Sequence, residues 1–120
     1  MAKVLVHLTH GPEHPTRAAL AFHVAKAAIE AGHETTVFLA GDAVQLLREG
    51  VLDHLTGLGT GNLRQCYDVI AASDRTLYYS GMSAKSRGLE QAELEGKNVK
   101  PASPSELVAL SIEHDRMFNY

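Results

Sequence analysis

Two short stretches hold the residue types that do chemistry in this 120-residue chain. The first runs from Thr76 to Gly88. Its β-branched and aromatic start, Thr76 to Tyr79, leads into Ser80, Gly81, Met82 and Ser83. That pattern predicts a buried strand turning sharply into a helix, with Gly81 easing the turn and Ser80 or Ser83 as the cap. Such a turn offers free N–H groups and the positive end of a helix dipole, which suit an anion. Any strand-to-helix turn of an α/β domain offers as much. The second stretch, Thr9 to Pro15, is polar and broken by Gly11, Pro12 and Pro15. Ligands of open parallel sheets bind beyond the carboxyl ends of strands. The candidate ligand-binding residues are therefore Thr9, His10, Glu13, His14, Ser80, Gly81 and Ser83. If the strands before these two loops are neighbours, the loops face each other across a crevice.

The histidines and the one cysteine raise other chemistries. His7, His10 and His14 are close in sequence, and imidazole suits zinc, but a good site needs three or four converging groups. His7 falls within a strand and the other two on a loop, so no metal is assigned. Neither His10 nor His14 has a serine, cysteine or carboxylate partner fixed by spacing. Cys66 is the only cysteine, which excludes an intrachain disulfide and a cysteine-cluster metal site. It shares a helical stripe with Leu63, Tyr67 and Ile70, and a thiol buried in such a stripe keeps its proton. The run Gly57 to Gly61 lacks the lysine of a phosphate loop and does not follow the first strand, so it reads as a flexible loop. No cofactor is expected.

The elements that must position these residues alternate. Lys3 to Leu8 is apolar on both faces, as an inner parallel strand is. A helix follows from Pro15 or Thr16 to about Ala31, stopped by Gly32. Ala18, Ala21, Phe22, Ala25 and Ile29 form one stripe on it, for the sheet; Leu20, Val24, Ala27 and Ala31 form a second, for a subunit contact. Glu34 to Ala40 is a strand. Gly41 ends it, and Asp42 caps a helix from Ala43 to Arg48. Val51 to Leu58 reads as a short helix, and Asn62 caps another to about Ala72. After Gly88 the chain is polar, a solvated helix and loop with a short extended piece at Val99. Ser103 to Glu106 is a capping box with proline at the first helical position. Its helix ends near His114, and Arg116 to Tyr120 closes the sheet. The sum is a three-layer α/β/α sandwich with four or five mostly parallel strands, in one domain over residues 1–120.

Composition narrows the class. With 45% hydrophobic and 21% charged residues the chain is globular rather than disordered. A formal charge of −3 gives no basic field for nucleic acid. No apolar run is long enough to span a membrane, and the start lacks a signal-peptide core, so a cytoplasmic protein is expected.

Taken together, the run from Lys3 to Glu13, the alanine-rich helix ending at Gly32, the strand running into Gly81 and Arg87-Gly88, and Ser103 to Glu106 before a helix and terminal strand resemble the DsrE/DsrF-like proteins. The resemblance covers nearly the whole chain. It implies a small three-layer α/β fold, a homotrimer or homohexamer, a sulfur-relay partner protein and, in the best-known members, a persulfide carried on a cysteine just after the strand that ends here at Tyr79. The matching positions here are Ser80 and Ser83, and a hydroxyl cannot hold a persulfide. Three readings follow: a binding or accessory subunit without the thiol, a sulfurtransferase using Cys66, and a metal-dependent enzyme using the loop histidines.

Overall fold

The computed structural model describes residues 1–75 and 77–120, so Thr76, read above as the first residue of its strand, lies outside the described residues. Five parallel strands form the sheet: β1 (Lys3–Leu8), β2 (Glu34–Leu39), β5 (Leu77–Ser80), β6 (Val99–Ala102) and β7 (Arg116–Asn119), in the order β6-β5-β2-β1-β7. β1 and β2 pair over their whole length, Lys3 with Glu34 through Leu8 with Leu39.

Alternation in the strands sends side chains to two unequal layers. Val4, Val6, Leu8, Val37, Leu39, Leu77 and Tyr79 face the larger core, shared with α1 (Pro15–Glu30), α2 (Glu49–His54) and α3 (Leu63–Ala72). Phe22 of α1 and Tyr67 of α3 stack there with ring centroids 6.5 Å apart. Leu5, Phe38 and Ala102 face the other side, where α6 (Pro104–Glu113) lies over them through Leu107 and Leu110. Both sheet edges, β6 and β7, lack a second neighbour among the described residues.

Several local expectations are revised. Gly41–Leu47 is a 3-10 helix, and Asp42 lies in its first turn rather than capping it; the residue before the helix is Ala40. The glycine run is a hairpin, β3 (Thr56–Gly57) against β4 (Gly61–Asn62), because Gly59 and Gly61 take the positive φ that a tight reversal needs. Within the polar stretch, Glu90 and Glu93 form a capping box for the one-turn helix α5 (Gln91–Leu94), whose Leu94 is buried. Val99 opens a full strand. Lys97 Nζ, 2.6 Å from Glu49 Oε1, and then Arg64 hold the Glu49 carboxyl below the usual carboxylate range, linking α2 to α3 and to the loop before β6. Asn62 caps α3 and Ser103 caps α6, as read from the sequence. No helix among the described residues is long and apolar enough to cross a membrane.

Candidate functional site

Three loops meet at the carboxyl edge of the sheet: Thr9 to His14 after β1, Ala40 to Asp42 after β2, and Ser80 to Ser83 after β5. β2 stands between β1 and β5, so the adjacency needed for an open crevice between the outer two loops is not met. Instead the β2 loop lies between them and touches both. On one side Gly11 is buried against it: a Cβ there would stand 2.0 Å from the Asp42 carbonyl oxygen. On the other side Ser83 Oγ accepts the Gly41 N–H at 2.9 Å.

The β5 turn is built as the sequence suggested. Ser80, buried at 8% exposure, caps α4 (Gly81–Ser86), its Oγ accepting the Ser83 N–H at 3.1 Å. Each serine oxygen therefore accepts a backbone N–H. Neither hydroxyl is hydrogen-bonded to a histidine or a carboxylate among the described residues, so no nucleophile–base pair is formed there. Arg87, just beyond α4, closes the arrangement. Its Nε donates to Asp42 Oδ1 at 2.9 Å and one terminal nitrogen donates to the Ser83 carbonyl at 3.2 Å. Arg48 in turn donates to the Arg87 carbonyl at 2.9 Å and pairs with Glu93. Gly41, Asp42, Arg87 and Arg48 thus shape this edge, and none was among the site residues chosen from sequence. Only the glycine after a strand and the Arg87-Gly88 pair hinted at them.

The β1 loop engages most of its own polar groups. Thr9 donates through both N–H and Oγ1 to the Tyr120 carbonyl, at 2.9 and 3.1 Å. Glu13 Oε1 accepts the Gly11 N–H at 2.8 Å, and the His14 N–H donates to the Gly11 carbonyl at 3.0 Å. His10 and His14 meet edge to face, ring centroids 5.4 Å apart. His7 is not with them. It follows Leu5 onto the α6 side of the sheet, bonded to Asn119 at 3.0 Å and edge-on to Phe38. The metal-enzyme reading needs these three histidines to converge, and they do not. Among the described residues no three His, Cys, Asp or Glu side chains are placed to hold a metal ion.

Cys66 lies apart from this edge, in α3. It is 3% exposed, and burial raises its thiol pKa, outweighing the opposing pull of Lys26.

The chain matches the DsrE/DsrF-like family over residues 2–120. The chain belongs to that family. Two solved structures share the DsrE/DsrF-like chain's fold. The crystal structure of the ychN protein from E. coli aligns over 100% of both chains with a TM-score of 0.80 at 18% identity. A conserved protein of unknown function from Bacteroides thetaiotaomicron, BT1422, aligns over 99% of this chain and 95% of its own with a TM-score of 0.68 at 11% identity. At such identities the likeness is one of fold. No curated protein matches the chain.

Proposed function

We propose that this DsrE/DsrF-like protein is a binding or accessory subunit of a sulfur-relay system that carries no sulfur itself. The place of the one thiol carries this reading. Cys66 is buried between α3 and α1, while the turn after β5 offers Ser80 and Ser83. Persulfide transfer needs a thiolate that a donor can reach. A buried thiol whose pKa is raised by desolvation provides neither the charge nor the access. Serine oxygens in cap and cross-loop hydrogen bonds keep the turn's shape without supplying sulfur.

The reading includes self-association as a homotrimer or homohexamer, a sulfur-relay protein as partner, and a cytoplasmic setting, which suits a lone unpaired thiol. The carboxyl-edge residues Thr9, His10, Glu13, His14, Ser80, Gly81 and Ser83 form its proposed contact region. Incubation of the folded protein with a low-molecular-weight persulfide donor, followed by intact mass measurement, tests the central point. The expected spectrum shows no added sulfur. A stable increment of one sulfur on Cys66 would overturn the reading and make the chain a carrier. In light scattering the expected mass is three or six times that of one chain. A mass of one chain would remove the oligomer.

A further inference from the structure

We propose that Thr36 and His114 form a separate site on the α6 side of the sheet, an esterase centre for short acyl esters of a positively charged alcohol or thiol.

Thr36 shares the α6 side of β2 with Phe38, because alternate residues of a strand face one way. His114, the C-cap of α6, meets it there; the two residues are 3% and 8% exposed. His114 Nδ1 stands 2.5 Å from the Leu110 carbonyl oxygen, which can only accept, so Nδ1 carries the ring proton. Nε2 is then a free lone pair, and Thr36 Oγ1 donates to it at 3.0 Å. A hydroxyl bonded to the acceptor nitrogen of a histidine, whose ring a third group holds in place, is the arrangement of an activated nucleophile. Ser80 and Ser83 have no such partner. Thr36 and His114 are the catalytic residues, and the Leu110 carbonyl is a positioning group.

The pair lines a cavity of about 300 Å³ between α6 and β5. The other walls select the substrate. Tyr78, stacked on Phe38 with ring centroids 6.3 Å apart, supplies an aromatic surface. Asp74 and Glu113 set two carboxyl groups against one guanidinium, Arg75, which also pairs with Glu34 at 3.4 Å. Glu113 meets Lys3 through Oε1 and keeps its second oxygen. An aromatic ring beside carboxylates attracts a cationic group. The guanidinium supplies N–H donors for the charge that grows on a carbonyl oxygen under attack. A cationic ester meets both demands.

In the first step Thr36 Oγ1 bonds to the ester carbonyl carbon, and its proton passes to His114 Nε2. The bond from that carbon to the leaving oxygen or sulfur then breaks. Its electron pair stays with the leaving atom, which takes the proton back from His114. The acyl group remains on Thr36. Water loses a proton to His114 and attacks the acyl carbon; the acid departs, and Thr36 recovers the proton. Nothing is oxidised or reduced.

Acetylthiocholine tests the site on the full-length chain. Thiol release above the buffer rate is expected, and acid-quenched protein is expected to carry one acetyl group, mapped by peptide mass to Thr36. Thr36→Val keeps the shape of the side chain without its hydroxyl. It is expected to show neither signal, with circular dichroism unchanged. His114→Gln is expected to slow release about a hundredfold or more. The uncharged isostere, with carbon in place of the quaternary nitrogen, is expected to react about tenfold more slowly. No release above the buffer rate from the wild type would overturn the proposal. So would release that Thr36→Val retains, an acetyl group mapped to another residue, or an isostere that reacts as fast. None of these readouts involves persulfide, so the sulfur-relay reading stands or falls separately.

Discussion

Gly11→Ala is expected to destabilise the protein by about 3 kcal/mol or more, a loss usually seen only for severe core changes. The cause is not the backbone angle, since Gly11 is absent from the glycines with positive φ. It is the neighbour. The added methyl carbon would lie 2.0 Å from the Asp42 carbonyl oxygen and 2.7 Å from its carbon. Both belong to main chain, so no side chain can swing aside. The β1 loop and the start of the 3-10 helix must separate, and the move strains the cross-loop bond from Gly41 to Ser83. Gly50→Ala is the matched control. Gly50 lies inside α2 with nothing within 4 Å of its added Cβ, so that substitution should stabilise by about 0.5–1 kcal/mol. Urea titrations at one protein concentration compare the two. Equal midpoints for both variants would refute the close-contact account.

Iodoacetamide should alkylate Cys66 on the order of 10³ times more slowly in the folded protein than in denaturant. That factor corresponds to an opening cost of roughly 4 kcal/mol, below the full stability of an ordinary domain. Cys66 lies on the α3 stripe with Leu63, Tyr67 and Ile70, all buried, so reagent reaches it only when α3 leaves the core. The same burial sets a pH dependence. Desolvation raises the Cys66 thiol, and likewise raises the Tyr67 phenol. As pH climbs past the ordinary thiol value, the unfolded chain loses that proton while the folded chain keeps it. Stability is therefore whole below that value and declines above it. Labelling of the native protein at the denatured rate would place the thiol in solvent and reopen the carrier reading.

How far these features were legible differs by level. Apolar runs and caps located β1, α1, β2, α3 and α6, because period and capping are local properties. β6 showed only as Val99, since Pro101 disguises a strand that tolerates it only at an edge. The hairpin of Thr56 to Asn62 is too short for alternation to register. Strand order is a long-range property, and the position of β2 between β1 and β5 changed the site most. Residue type picked out Ser80, Ser83, Thr9 and Glu13, but not their partners. Ser83 meets Gly41 across 42 positions, and Thr9 meets Tyr120 across 111. The helix cap of Ser80 was readable because it closes within three residues.

The pairing of β1 with β7 joins residues as much as 112 positions apart. During synthesis β1 leaves the ribosome long before β7 exists. Until then its outer backbone edge, at the heart of the apolar core, has no strand to bond. Nascent chains of this kind close slowly and tend to stick to one another. The longer that edge waits for its partner, the more chains are exposed to association before they fold.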